Sequence, residues 1–107
     1  MNVDALEAML NKGMDTPLLR FGLGKAYLDQ QDTALAIEHL QQCVTQDPHY
    51  SAAWQILGQA YLDSGDIALA SQAWEKGISV AQAKGDKQAE KIMQVFLRRV
   101  EKLRKTE

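Results

Sequence analysis

The stretch LGKAYLDQQDTALA at residues 23–36 recurs 34 residues later as LGQAYLDSGDIALA at residues 57–70, with ten of the fourteen positions identical. A chain that repeats at this period is built from stacked units, each of which buries its apolar face only against its neighbours. Such an array presents one extended surface to a partner. The repeat therefore predicts a binding role before any individual site is considered.

Each copy has the pattern of two helices, here called helix A and helix B. In the first copy, Thr16 suits the N-cap of helix A and Pro17 suits its first position. Asp47 and Pro48 end helix B, because proline disfavours helical backbone at the residue before it. Ser51 is the predicted N-cap of the second copy. Helical spacing of apolar residues predicts burial of Leu23, Tyr27, Ala36, Leu40, Trp54, Leu57, Tyr61, Ala70, Trp74 and Ile78.

Both flanks extend the pattern. Leu6, Met9 and Leu10 align one period upstream of the helix B stripe, which predicts an N-terminal helix B without its helix A. Asp86 suits the N-cap of a third helix A, which caps the other end of the array. We expect one all-α domain, a superhelix of helix hairpins with a half-repeat helix at 3–12, repeats at 17–50 and 51–84, and a capping helix at 86–105.

The residues of both copies resemble the tetratricopeptide repeat (TPR) family. The second copy supplies the family's Trp54, Leu57, Gly58, Tyr61, Ala70 and Trp74 and departs at Gly77 and Gln82. The first supplies Leu23, Gly24, Tyr27, Ala36 and Pro48 and departs at Arg20, Leu40 and Cys43. Glycine inside a helix costs about 1 kcal/mol relative to alanine. Gly24 and Gly58 therefore predict a close approach of helix A to helix B.

Composition restricts the setting of the protein. The 107 residues contain a single cysteine, which excludes an internal disulfide. No apolar run approaches the ~18 residues of a membrane span, and the N-terminus lacks the pattern of a secretory signal, so we expect a cytoplasmic protein. The charge is uneven: residues 1–83 carry ten acidic and four basic side chains, whereas residues 84–107 carry four acidic and eight basic ones.

No group of residues has the pattern of an active site. His39 and His49 lack metal-ligand spacing and are interpreted as solvated surface histidines. Cys43 occupies a packing position, which favours a buried, inert thiol. Asp32 and Asp66 are explained as caps of the B helices. We therefore expect no enzyme, no catalytic residue, no cofactor and no metal.

The resemblance implies a concave groove lined by the A helices. Apolar side chains and amides in such a groove suit an extended peptide, and its lysines suit an acidic one. The competing interpretation is that Leu18 and Leu28 pack against the end helix and that Phe21 covers a seam. Carried over residue by residue, the predicted partner-binding set is Phe21, Lys25, Leu28, Gln55, Gln59, Leu62, Lys87, Lys91, Gln94 and Arg98.

Three functions remain open at this point. The first is an adaptor that binds a protein or peptide through the groove. The second is a structural subunit that forms a homodimer. The third is a protein that binds an acidic partner through its basic C-terminal helix. Nucleic acid is disfavoured, because aromatic residues do not interleave with the basic ones in that segment.

Overall fold

The computed structural model describes residues 2–105, and its regular structure there consists of α-helices without strands. Consecutive helices pack against each other and are joined by short turns, which is the arrangement of antiparallel helix hairpins. The helices are α1 (Val3–Asn11), α2 (Pro17–Asp29), α3 (Thr33–Gln46), α4 (Ser51–Asp63), α5 (Ile67–Lys84) and α6 (Lys87–Lys105). The all-α expectation is confirmed. Within the described residues, no helix is both long and apolar enough to cross a membrane.

The helix starts agree with the sequence signals except at one position. Thr16 Oγ1 accepts a hydrogen bond from the Leu19 backbone N–H at 3.1 Å, and Asp32, Asp66 and Asp86 cap α3, α5 and α6 in the same way. The prediction for Ser51 was wrong. The N-cap of α4 is Tyr50, whose side chain makes no cap bond, and Ser51 is the first helical residue.

The two predicted close approaches are present. A methyl group at Gly24 would lie 2.6 Å from Cδ2 of Leu40, and one at Gly58 would lie 2.5 Å from Cε2 of Trp74. Both distances are far inside van der Waals contact, so each glycine lets helix A rest directly on its helix B.

Gly77 explains one departure from the family pattern. A Cβ there would lie 2.8 Å from Cβ of Trp54 and would also overlap Met93 Sδ. Met93 is fully buried. The space that a side chain at residue 77 would fill is therefore taken by α4 and α6, which both pack on α5.

Within residues 2–105, the core consists of two apolar clusters. The larger one extends from α3 to α6 around Leu40, Trp74, Met93 and Val100. A smaller one joins α1 to α2 through Leu6, Leu19 and Leu23.

Seven of the ten residues predicted to be buried are buried, and three are only half-buried: Tyr27, Trp54 and Ile78. Tyr27 lies near the N-terminal end, beside the smaller cluster. The indole of Trp54 reaches outward and donates from Nε1 to the Pro48 carbonyl at 2.9 Å. Ile78 lies at the edge of the larger cluster.

Candidate functional site

A cleft of about 210 Å³ opens between α2 and α4. It brings together Lys25, Leu28, Gln55 and Gln59, four of the residues predicted to bind a partner. Lys25 and Gln59 occupy equivalent positions on α2 and α4, the A helices of consecutive repeats, and they face the same space. The complete lining is Lys25, Leu28, Asp29, Gln55, Ile56, Gln59 and Phe96. This set is called the A-helix cleft below.

The A-helix cleft combines apolar side chains with a polar rim. Leu28, Ile56 and Phe96 are half-buried and pack against the larger cluster. Gln59 Nε2 donates to Asp63 Oδ1 at 2.9 Å, which orients that amide. Among residues 2–105, the side chain of Gln55 makes no hydrogen bond, so both its donor and its acceptor are available to a ligand.

Phe21 lies beside this cleft and holds two elements together. Its ring stacks on that of Tyr50, with 4.9 Å between the ring centroids, and the Lys25 ammonium lies 5.6 Å from the Phe21 centroid. The alternative interpretation of Phe21, that it covers a seam, describes this contact between α2 and the turn before α4. The interpretation of Leu18 does not hold, because that side chain is 70% exposed.

The other predicted residues lie outside the A-helix cleft. Leu62 is half-buried against the larger cluster. On α6, successive side chains rotate by about 100°, which places four of the predicted residues on the side of the helix roughly opposite Phe96. Gln94 donates to Glu90 at 3.2 Å, and Glu90 also accepts from Gln82 of α5. The four residues, called the outer face of α6 below, are Lys87, Lys91, Gln94 and Arg98.

Three lining residues were absent from the predicted set: Asp29, Ile56 and Phe96. Asp29 follows Leu28 at the end of α2, and Ile56 follows Gln55, so both are sequence neighbours of predicted residues. Phe96 lies on α6 and packs against the larger apolar cluster. Its ring packs on Trp74, with centroids 5.3 Å apart, but it also closes one end of the cleft. The signal for Asp29 and Ile56 was their position beside Leu28 and Gln55, whereas Phe96 had no such signal, because the rotation of α6 does not follow from the 34-residue spacing.

His39 is buried, with only 5% of its surface exposed, so its interpretation as a solvated histidine was wrong. Arg20 Nη1 lies 3.1 Å from its Nδ1, and Glu7 Oε1 lies 3.5 Å from its Nε2. The Tyr27 ring stacks on the imidazole at 5.5 Å. Residue 73, one period later, is the buried Ala73, and that equivalence was the signal that could have predicted burial.

The polar side chains around His39 also join α1 and the loop before α2 to the first repeat. Tyr27 Oη donates to Glu7 at 2.8 Å, and this bond to a carboxylate raises the pKa of the tyrosine to about 12. Arg20 makes two bonds of 2.8 Å to Asp15, which also accepts from Gln46. These bonds hold the pKa of the Asp15 carboxyl well below its usual range. The network explains why an arginine occupies the family's tryptophan position.

Cys43 is fully buried and its Sγ donates to the Pro17 carbonyl at 3.3 Å. Burial raises the pKa of its thiol to about 11. A thiol that is neutral and enclosed is a poor nucleophile. Within residues 2–105 there is also no group of three or more His, Cys, Asp or Glu side chains that could hold a metal ion.

Comparisons with known proteins agree with this architecture. The family model described as tetratricopeptide repeat matches residues 27–94. A TPR repeat-containing protein of Pseudomonas aeruginosa is 58% identical over 104 residues, which cover 97% of this chain and 99% of that protein.

Solved structures are similar as well. The solution structure of a Bordetella parapertussis protein has a TM-score of 0.83 and 46% identity, over 95% of this chain and 89% of that one. The crystal structure of a TPR domain protein from Salinibacter ruber has a TM-score of 0.78 over 83% of this chain and 99% of that one. At 24% identity, the second similarity concerns the fold alone.

TPR proteins are repeat scaffolds that generally mediate protein–protein interaction and are generally not enzymes. The repeat period, the close-approach glycines and the match over residues 27–94 all lead to the same assignment. This chain belongs to the tetratricopeptide repeat family.

Proposed function

We propose that this protein is a non-enzymatic cytoplasmic adaptor that binds an extended segment of another protein in the A-helix cleft. The observation that carries the proposal is that side chains from both repeats and from α6 line one cleft. A partner segment lying there would contact α2, α4 and α6 together, so its binding would depend on the assembled array.

The chemistry of the cleft suits an extended peptide. Gln55 and Gln59 offer amide donors and acceptors at neighbouring turns of α4, which match the alternating N–H and C=O groups of an extended backbone. Leu28, Ile56 and Phe96 provide apolar contact for its side chains. Lys25 and Asp29 place one charge of each sign at the rim, which favours a segment of mixed rather than purely acidic character.

A second candidate function is supported by the C-terminal part of α6. Arg98, Arg99, Lys102, Arg104 and Lys105 are exposed, and none of them forms an ion pair within residues 2–105. Together with Lys87 and Lys91, they would attract an acidic protein partner through long-range electrostatics. In this case these basic residues of α6, and not the A-helix cleft, would form the binding surface.

One set of variants separates the two candidates. Peptides are selected on the purified protein from a random library displayed on phage, and their affinities are measured by fluorescence anisotropy. If the cleft binds them, Gln55→Ala with Gln59→Ala should weaken binding by about tenfold or more, since two hydrogen-bonding side chains are lost. Lys87→Glu with Lys91→Glu should then have little effect.

The control is Glu38→Gln with Glu75→Gln, which changes two exposed carboxylates on the B helices. Circular dichroism confirms that each variant is folded. If the Lys87 and Lys91 changes abolish binding while the Gln55 and Gln59 changes leave it unaltered, the protein binds an acidic partner through α6 and not a segment in the A-helix cleft. If light scattering shows a dimer that the Gln55 and Gln59 changes dissociate, the protein is a self-associating subunit and the adaptor proposal is wrong.

A further inference from the structure

Helix α1 packs on α2 in the same way that α3 packs on α4. Tyr27 Oη bonds to Glu7 at 2.8 Å, and one period later Tyr61 Oη bonds to Gln41 at 2.6 Å. Tyr27 and Tyr61 are equivalent positions on the A helices, and Glu7 and Gln41 are equivalent positions on the helices that precede them. The sequence alignment of α1 with a helix B is therefore matched by an equivalent contact in the structure.

The α3–α4 pair shows what normally covers such a pair. Helix α2 lies on it: Gly24 rests on Leu40, the Pro17 carbonyl accepts from Cys43, and Phe21 stacks on Tyr50. Leu40 and Cys43 are fully buried as a result.

The equivalent surface of the α1–α2 pair is open. Leu6, Met9 and Thr16 are the counterparts of Leu40, Cys43 and Tyr50, and they line an apolar groove of about 420 Å³. Leu18 also lines this groove. Met9 is 38% exposed and Leu18 is 70% exposed, and no other helix among residues 2–105 lies over them.

We propose that this groove, called the α1–α2 groove, binds an amphipathic helix of a partner protein, oriented parallel to α2. Continuity of the array supports a helix as the occupant, because one repeat later the equivalent surface already binds a helix, which is α2. This groove meets the A-helix cleft at Lys25, which lines both, but its other lining residues are different, and it selects a helix and not an extended segment.

The contacts of α2 specify the chemistry of the partner helix. A glycine or alanine must face Leu6, because Gly24 occupies the corresponding position over Leu40. The partner residue seven positions before this glycine or alanine corresponds to Pro17 over Cys43 and would lie over Met9, so apolar residues in that part of the partner helix would cover Met9. Among residues 2–105, Lys25 is the only charged residue that lines the groove, so a carboxylate on the rim of the partner helix would be favourable.

The experiment uses the full chain and a defined probe. The probe is a capped synthetic peptide with the sequence of residues 16–31, which contains α2, and a scrambled peptide is the negative control. The peptide is titrated into isotope-labelled protein, and amide and methyl shifts are followed by NMR. We expect saturable shifts at Met9 and Leu18 with the α2 peptide only.

Met9→Gln with Leu18→Gln should weaken peptide binding by about tenfold or more, because apolar area is lost from the interface while side-chain size is nearly kept. The matched control is Leu69→Gln with Leu103→Gln, since these leucines are 37% and 49% exposed and lie elsewhere. The control should change the affinity by less than about twofold.

Three outcomes would overturn the proposal. The first is the absence of saturable binding to the unaltered protein. The second is a set of shifts centred on Gln55 and Gln59, which would place the peptide in the A-helix cleft. The third is a dimer by light scattering that the Met9 and Leu18 changes dissociate, which would make a second copy of the chain the occupant.

Discussion

The first repeat (residues 17–50) and the second (residues 51–84) have the same helix pairs, but different side chains fill equivalent positions. Arg20 in the first corresponds to Trp54 in the second, and the buried His39 corresponds to Ala73. The neighbours account for the difference. The second repeat packs between α3 and α6 and has the apolar Trp54 and Ala73 at these positions, whereas the first packs against α1 and includes a polar network. A repeat pattern thus fixes which positions meet, and the neighbouring helix decides which chemistry suits them.

The largest difference in stability between the two ends should appear when a packed side chain is removed from each terminal helix. Met93→Ala removes a fully buried side chain that fills the space at Gly77, and we expect it to lower the free energy of unfolding by about 2–5 kcal/mol. Leu6→Ala, in the smaller cluster, should cost clearly less, because its surroundings can relax towards solvent. Urea denaturation of both variants measures the difference. Equal losses would mean that both ends of the array are equally well packed.

Exchanging the two close-approach glycines for alanine tests the helix pairs themselves. Helix propensity favours both changes by about 1 kcal/mol, so the difference between the variants isolates the steric effect. Gly58→Ala pushes against the rigid indole of Trp74, whose Nε1 donates to the Gln55 carbonyl at 2.9 Å. Gly24→Ala pushes against Leu40, whose side chain is smaller than an indole and makes no hydrogen bond.

We therefore expect Gly58→Ala to be less stable than Gly24→Ala by about 1–2 kcal/mol in thermal or urea unfolding. The reverse order would show that the Leu40 side of the first repeat is the tighter interface.

The smallest contrast concerns the turns between helices A and B. Gln31 has φ +64°, a left-handed conformation that is costly for a side chain, and Gly65 occupies the same position in the second repeat with φ +87°. Gln31→Gly should raise the melting temperature slightly, by the equivalent of about 0.5–1 kcal/mol, and Gly65→Gln should lower it by a similar amount. Gln30→Gly is the control, because Gln30 has φ −84° and should only lose stability. A destabilising Gln31→Gly would contradict the argument from backbone strain.

Local signals in the sequence predicted most of the fold. Thr16 and Asp86 were placed correctly as caps, and Gly24 and Gly58 were placed correctly at helix crossings, because each prediction depends on a few adjacent residues or on the repeat period. His39 was misplaced because it was judged by its residue type. Its burial depends on Arg20 and Glu7, which reach it from other helices.

The cleft was predicted only in part, for a related reason. The predicted residues of α2 and α4 face one cleft because the two helices start 34 residues apart, at the repeat period. Helix α5 has 18 residues where α3 has 14, so the rotation of α6 about its own axis cannot be obtained from the period alone. Phe96 therefore closes the cleft, while Lys87 and Lys91 lie on the outer face of α6.

The buried thiol of Cys43 can be used to measure how often the first repeat opens. Cys43 is the single cysteine of the chain. It lies on α3, its Sγ contacts the Pro17 carbonyl of α2, and the pKa of its thiol is raised to about 11. A thiol reagent at neutral pH can therefore modify it only after the α2–α3 hairpin opens. The rate of modification counts openings of this hairpin, whereas denaturant unfolding reports the whole domain. Comparing the two would show whether the first repeat opens before the second, as its polar outer side suggests.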